Sequence, residues 1–190
     1  MKLLLASVCA FFFSTNILAN ELVSKIIKND FRIHAALNLI DWEVGDHAEY
    51  NLRFSMGSGT AEVTIREQVG DNFWINQQLS LGPLGGDHLV ELLVNPATGE
   101  VLKMIVDGNE QDAPEQGEIE VISIEEVEVV VPAGTFTTQH VTIKDVESGK
   151  ISEQWVNQQQ VPVYGLVKNV SPEQLREVSM ELTGFGRAYH

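Results

Sequence analysis

The sequence predicts a mainly β domain built on an antiparallel sheet, with one or two short helices. The first observation is the alternation of apolar and polar residues after Asp46, which is typical of half-buried strands because successive side chains point to opposite faces. The second is that each alternating run ends at turn-forming residues, Gly57-Ser58-Gly59 and then Gly70-Asp71. Consecutive strands joined by such short turns form an antiparallel meander.

The alternation also predicts which side of these three strands is buried. One face collects the large apolar side chains and the other collects polar ones, including Thr64. The residues predicted to share the buried face are Tyr50, Leu52, Val63, Ile65, Phe73 and Ile75.

A second hairpin follows the Gly82–Gly86 loop. Leu89–Val94 and Val101–Val106 flank the turn residues 95–99, and both runs are apolar at nearly every position. We therefore expect both faces of this hairpin to be covered. Asp107–Gly117 is polar and acidic, which predicts an exposed loop.

The second half of the chain continues in strands. Apolar residues switch faces between Ile119 and Val131, so a bulge or bend is predicted near Ser123–Glu126. Val131-Pro132-Ala133-Gly134 forms the next corner. The total is about nine or ten strands, of which the last four are Phe136–Val146, Ile151–Val156, Leu166–Val170 and Val178–Phe185.

Two segments carry helical signals. Glu21–Asn29 places Leu22, Val23, Ile26 and Ile27 on one stripe, which favours a short amphipathic helix. Ser171-Pro172-Glu173-Gln174 has the residues of a helix start and predicts one helical turn.

Residues 1–19 have the pattern of a secretory signal peptide. Lys2 precedes an apolar run from Leu3 to Phe13, and Ala19 precedes a polar boundary. We expect residues 20–190 to form a single β-rich domain in the periplasm, with secretion as the alternative. Cys9 lies inside the apolar run and lacks a lipoprotein context, so no lipid anchor is expected. It is also the single cysteine, so no disulfide is expected. No later apolar run has the length of a membrane helix, so no later transmembrane segment is expected.

The chain is strongly acidic. Its 12 Lys and Arg against 27 Asp and Glu give a formal net charge of −15, and loss of Lys2 with the signal would make it −16. Nucleic acid and anionic lipid surfaces are therefore disfavoured as partners, because their phosphates would be repelled. A cationic partner or divalent cations would suit this charge, although solubility alone also explains it.

No residue pattern predicts catalysis, a cofactor or a metal. Asp87-His88 with Glu91 comes nearest to a metal cluster, but residues 88 and 91 of a strand point to opposite faces. Asp107, Asn109 and Asp112 lack the ligand order of a calcium loop.

Other local patterns have simpler explanations. Gly57-Ser58-Gly59 lacks the glycine spacing of a nucleophile elbow, and the glycines at 82, 85 and 86 match no phosphate-binding loop. Glu126 and Glu128 share a strand face and are interpreted as solvated rather than as paired catalytic carboxylates.

Tryptophans are the remaining candidates for a ligand surface. Trp42, Trp74 and Trp155 could each contribute, and Trp74 stands out because its neighbours on the same face are polar. Packing under a loop is the simpler explanation for Trp74. No specific ligand-binding residue is predicted.

Several segments together resemble a family. They are Val44–Tyr50, Val131–Phe136, Trp155-Val156, Val161–Lys168 and Glu181–Gly186. Their order resembles uncharacterised exported bacterial β-rich proteins, which are similar to the lipoprotein-localisation (LolA/LolB-like) superfamily. The resemblance implies a strongly curved antiparallel sheet, an incomplete barrel with an apolar hollow in which some relatives carry acyl chains. It implies no ligand residue, because the matched motifs shape turns and strand ends.

These observations favour a non-enzymatic protein of the periplasm. The leading hypothesis is binding of a hydrophobic, lipid-like ligand or of an exported protein. The alternative is a structural or assembly factor of the bacterial envelope with a filled core and a protein partner. A hydrolase with an unrecognised site is the third hypothesis.

Overall fold

Eleven strands form one antiparallel sheet in the structure, a computed structural model that describes residues 41–54, 57–113, 118–172 and 177–188. The order across the sheet is β6-β5-β4-β3-β2-β1-β11-β10-β9-β8-β7. The strands are β1 (His47–Phe54), β2 (Gly57–Val69), β3 (Asn72–Ser80), β4 (Asp87–Asn95), β5 (Glu100–Val106), β6 (Asn109–Gln111), β7 (Ile119–Val131), β8 (Gly134–Asp145), β9 (Ile151–Val156), β10 (Leu166–Pro172) and β11 (Glu177–Gly186). A single helical turn, α1 (Gly82–Gly85), joins β3 to β4.

The predicted meander of β1, β2 and β3 is confirmed. Tyr50 lies opposite Ala61 in the first pair of strands, and Ile65 lies opposite Ile75 in the second. The six side chains predicted to share one face are all buried there, whereas Thr64 is only half-buried on the other face. A bulge between Ile65 and Glu67 shifts the later register, yet Phe73 stays on the core side.

The two halves of the chain meet at the centre of the sheet. β1 pairs with β11, so each half runs outward from this seam to its own edge. The turn between β7 and β8 also contacts β11, because the Ala133 amide donates to the Leu182 carbonyl at 3.1 Å. This hairpin therefore reaches past β9 and β10, and Val131 and Phe136 join the main core.

A buried carboxylate ties the beginning of β1 to the end of β11. Asp46 is fully buried, and its two oxygens accept hydrogen bonds from the amides of Glu43, at 3.1 Å, and Ala188, at 2.9 Å. The Arg187 guanidinium lies 3.8 Å away. A charge-assisted hydrogen bond of this kind holds chain segments that are far apart in sequence.

Two predictions about β4 to β6 were wrong. The hairpin of β4 and β5 is covered on one face only, because Leu89 and Leu102 keep 38% and 44% of their surface exposed. An apolar residue on the second face of a strand thus gave a false signal of burial. The segment predicted as a loop from Asp107 contains the short strand β6, since its backbone completes pairing with β5 despite its polar side chains.

Later corrections are smaller. The bulge in β7 lies between Val121 and Ser123, slightly before the predicted position. Ser171 and Pro172 end strand β10 instead of beginning a helix, because backbone pairing with β11 continues through both. The glycine-containing loop after β3 adopts the helical turn α1, which the sequence did not predict.

Three predictions lie outside the described residues: the signal peptide 1–19, the helix at Glu21–Asn29 and the positions 173 and 174 of the predicted helical turn.

The sheet is antiparallel and open, with β6 and β7 at its edges. Within the described ranges, no helix is long and apolar enough to cross a membrane.

The buried register gives a direct prediction. Leu52→Ala and Ile65→Ala should each lower the free energy of unfolding by about 2–5 kcal/mol, because each removes a side chain that is almost wholly inside the core. Thr64→Ala, next to Ile65 but on the other face of β2, is the control and should cost far less. Urea denaturation measures all three, and equal losses would contradict the register.

Candidate functional site

The loop from Asn157 to Gly165 covers the core face of the sheet. It connects β9 to β10 and carries three buried apolar side chains, Val161, Val163 and Tyr164. Each joins the main core cluster of the sheet. The chain's own side chains therefore occupy this part of the face on which the family resemblance implied an apolar hollow.

Asn157 gives the loop its shape. Its amide nitrogen donates to the Gly165 carbonyl at 2.7 Å and closes the loop. Its side-chain oxygen accepts from the Gln160 amide at 3.0 Å, while its side-chain nitrogen donates to the Thr137 carbonyl at 2.8 Å. An Asn at the start of a tight loop is favoured because its carboxamide can bond to nearby backbone.

Three side chains of the core bond to the end of this loop. The Trp42 indole donates to the Val163 carbonyl, and the Gln77 carboxamide donates to the Tyr164 hydroxyl at 2.5 Å. The Tyr50 hydroxyl donates to the Leu166 carbonyl at 3.2 Å, where β10 begins. Polar groups inside an apolar core are stabilised by such bonds, because an unpaired buried polar group costs free energy.

Within the described part of the chain, the Gln77 side chain forms a hydrogen bond through its nitrogen but not through its oxygen. Its side-chain oxygen is buried and accepts no hydrogen bond from the described residues. Val163 adds a second unfavourable feature, because its φ of 65° lies in the left-handed region that β-branched residues strongly avoid. Backbone strain of this kind costs about 1–3 kcal/mol and persists only when the surroundings hold it. The loop and the β3 side chain that holds it thus carry one local source of instability each.

Loop residue Gly165 predicts a measurable effect. A Cβ on Gly165 would lie 2.1 Å from Gln158 Cγ and 3.1 Å from Gln158 Cα, at a φ of 61°. Gly165→Ala should therefore cost more than the ~1–2 kcal/mol expected for a left-handed alanine alone.

Gly70→Ala is the matched control for this measurement. Gly70 has the same φ of 61°, but a Cβ there would meet nothing within 4 Å. Urea denaturation of the two variants isolates the contact with Gln158. Equal losses would show that the loop yields easily around position 165.

His88 and Glu91, the nearest approach to a metal cluster in the sequence, contact different partners in the structure. The His88 ring lies between two acceptors, Asp107 Oδ2 and the Gly85 carbonyl, each at 2.8 Å. Glu91 pairs instead with Arg66. Asp107 also accepts from the Leu89 amide at 2.9 Å, and Asn109 donates to the Asp107 carbonyl. No group of three or more His, Cys, Asp or Glu able to hold a metal ion occurs among residues 41–54, 57–113, 118–172 and 177–188.

The His88 contacts have an electrostatic consequence. Only the imidazolium form can donate to both acceptors at once, because neutral histidine carries one ring N–H. Burial by itself raises the pKa of Asp107, but the His88 hydrogen bond, the Leu89 amide and the attraction of His88 outweigh it, so the pKa is lowered from its ordinary value. The ionised carboxylate is thus favoured in the folded state.

This pair predicts a pH dependence. A folded-state pKa below the unfolded value of about 3.9 means that Asp107 stabilises the fold above that pH. The contribution should disappear as the pH falls through the lower, folded-state value. Asp107→Asn should therefore lose less stability than wild type between neutral and strongly acidic pH.

The matched control is Asp112→Asn, at an exposed residue of the following segment. It should follow the wild-type profile. Asparagine also tolerates the left-handed backbone of position 107, where φ is 51°. Urea midpoints across the pH range give the comparison, and identical profiles for wild type and Asp107→Asn would contradict the assignment.

The face of β2 to β4 that lies opposite the core carries Trp74. Trp74 lies on it as predicted, half-buried, with the Arg66 guanidinium 5.0 Å from its ring centre. Arg66 in turn pairs with Glu91 on β4. Trp42 is instead buried in the core, where it meets Phe73 edge to face at 5.7 Å.

Trp155 lies in a row across β8, β9 and β10. The His140 ring stacks on it at 4.4 Å with a 7° angle, and Lys168 Nζ lies 5.5 Å from it on the other neighbouring strand. His140 also bonds to Glu153 at 3.1 Å, and Lys168 pairs with Glu181 at 3.2 Å. Both sides of the indole are occupied, so Trp155 offers no open ring face to a stacking ligand.

A shallow depression beside Trp74 was not predicted. It has a volume of about 350 Å³ and is lined by Val44, Gly45, Glu62, Thr64, Ile65, Arg66, Asn76, Gln78 and Leu89. The Asn76 side-chain oxygen is buried and accepts no hydrogen bond from the described residues. The mixture of one acid, one base and two carboxamides can hold small polar molecules but presents no nucleophile paired with a base.

The remaining sequence candidates are structural or exposed. The prediction that Gly57-Ser58-Gly59 forms the turn was wrong, because these residues begin strand β2 and pair with the end of β1. Glu126 and Glu128 lie on β7 opposite Gln139 and Thr137, exposed as predicted. The loop from Asn157 to Gly165 was the main omission, although its apolar Val161, Val163 and Tyr164 among turn residues could have indicated a buried loop.

Comparison with known proteins gives distant similarity only. No protein-family model matches the chain, and no curated protein matches its sequence. The fold is similar to a crystal structure from Bacteroides fragilis described as an exported protein with a YmcC-like fold, at 8% identity and a TM-score of 0.43 over 78% of this chain and 98% of that one. It is also similar to a Parabacteroides distasonis protein described as a lipoprotein, at 11% identity and a TM-score of 0.41 over the same shares. Similarity at this level assigns neither a family nor a function.

Proposed function

We propose that this protein is a non-enzymatic binding protein that works outside the cytoplasm and recognises another protein of the cell envelope. The observation that carries the proposal is the loop between β9 and β10 that packs on the core face. Val161, Val163 and Tyr164 occupy the side of the sheet on which a carrier would hold its ligand. A sheet whose concave face is filled by side chains has no volume left for an acyl chain.

The N-terminal sequence supports a location outside the cytoplasm. The apolar run at 3–13 and the small residue at 19 are typical of a signal peptide. The site chemistry supports a binding role, because the polar face combines salt bridges and stacked rings without a nucleophile and base in contact among the described residues. A periplasmic location is the specific form of this proposal, and secretion is its alternative.

The second candidate is a carrier of a hydrophobic, lipid-like ligand. The strain at Val163 and the unsatisfied oxygen of Gln77 favour it, because both would be relieved if the loop moved away from the sheet. The apolar face below would then be open to an acyl chain. The lipoprotein-localisation resemblance agrees with this candidate.

One titration separates the two candidates. Delipidated full-length protein is titrated with labelled fatty acids of increasing length, together with the variant Tyr164→Ala. We expect the wild type not to bind any member of the series and Tyr164→Ala to gain binding, because this substitution empties space beneath the loop.

The reverse result overturns the proposal. If the wild type binds and its affinity rises with each added methylene, the face opens readily, since each buried methylene contributes about 0.8 kcal/mol. The carrier role would then replace the protein-binding role.

A further inference from the structure

The two edges of the sheet differ sharply. At one edge β6 is only three residues long, Asn109–Gln111, and Lys103 pairs with Glu110 at 2.9 Å. At the other edge β7 runs for 13 residues, Ile119–Val131, and pairs on one side only, with β8, among the described residues. Short strands are a common protection of an edge, and a long edge strand leaves backbone donors and acceptors open to another chain.

Strand β7 also exposes apolar side chains at this edge. Val121, Ile122, Ile124 and Val130 keep 47%, 50%, 46% and 72% of their surface exposed. Short strands, charged residues, proline and bulges all protect an edge, and none of them explains four large exposed aliphatic side chains. A partner strand would cover part of this surface and pair with the free backbone groups.

The charges of β7 indicate which kind of strand it would accept. Glu125, Glu126 and Glu128 are exposed and form no ion pair with the described residues, and β7 contains neither Lys nor Arg. A second copy of this chain would place Glu near Glu across the new pair, which is unfavourable. A strand with Lys or Arg at alternate positions would instead form opposite-charge pairs.

We propose that β7 is a docking edge for an extended, basic segment of a partner protein, which adds to the sheet as a twelfth strand. Backbone hydrogen bonds to β7 hold the segment, and its alternating cationic side chains face Glu126 and Glu128. This inference rests on the proposed protein-binding function and names its surface and the chemistry of its partner.

The test uses a labelled synthetic peptide in which Lys and Val alternate over the length of β7. A second peptide of equal charge carries Pro in place of Val, so it cannot supply the ladder of backbone donors. Fluorescence anisotropy on full-length protein should show binding of the first peptide and little binding of the second. Hydrogen exchange should show new protection of β7 amides when the first peptide is bound.

Two charge variants locate the site. Glu126→Lys with Glu128→Lys should weaken the Lys-Val peptide about tenfold or more, because two attractive cross-strand pairs become repulsive. Glu67→Lys with Glu100→Lys changes the net charge equally on β2 and β5 and should change affinity by less than about threefold.

Several outcomes would overturn the proposal. Equal binding of the two peptides, or equal losses in the two charge variants, would mean unspecific attraction to an acidic protein. The β7 amides that point away from β8 should be unprotected in the free protein; if they are already protected, another part of the chain, or a second copy, occupies the edge. The acyl titration does not involve β7, so failure of the peptide test alone removes this surface and leaves the proposed function standing.

Discussion

The seven residues between β6 and β7 constrain the whole sheet. β6 ends at Gln111 on one edge and β7 begins at Ile119 on the other. A flat sheet of this order would separate its edges by about 48 Å, since neighbouring strands lie about 4.8 Å apart. The chain can span at most about 29 Å over that distance in sequence. The sheet therefore cannot be flat, and its edges must bend towards one another. The contact of Ala133 with Leu182 agrees with this bending, because it brings the β7–β8 turn back to the central seam.

A sheet that bends creates a concave side that must be filled. In the described part of the chain, the loop between β9 and β10 packs on the core face and is held there by polar contacts. Trp42, Gln77 and Tyr50 each use one hydrogen bond to hold the loop or the first residue after it, where an apolar core alone would give no directional constraint. The energetic cost is local: a left-handed Val163 and one unsatisfied oxygen on Gln77. Packing of Tyr164 and its neighbours must outweigh both costs for the loop to stay on the sheet.

Sequence patterns predicted the local part of this structure well. The alternation around Tyr50, Ile65 and Ile75 placed three strands in the right register because burial on one face leaves a period of two in the sequence. The same logic failed at Leu89, where an apolar residue lies on the exposed face, and at β6, where backbone pairing forms a strand without apolar residues. Alternation cannot report which strands pair across the chain, so the β1–β11 seam and the bond from Gln77 to Tyr164 had no sequence signal. The short β6–β7 connection shows only that the sheet is not flat. Strong curvature and an incomplete barrel stay predictions that rest on the family resemblance.

Part of the negative charge of the chain lies on the edge strand β7, where it can influence which strands pair with the sheet. A formal charge of −15 spread evenly would favour solubility and little else. On β7, however, the glutamates lie beside exposed Ile and Val residues, on a strand that pairs only with β8 among the described residues. Negative charge at such an edge has two effects at once. It opposes pairing with another copy of the same acidic chain, and it leaves pairing with a basic strand favourable. The glutamates that would oppose pairing with a second copy would therefore also favour a basic partner strand.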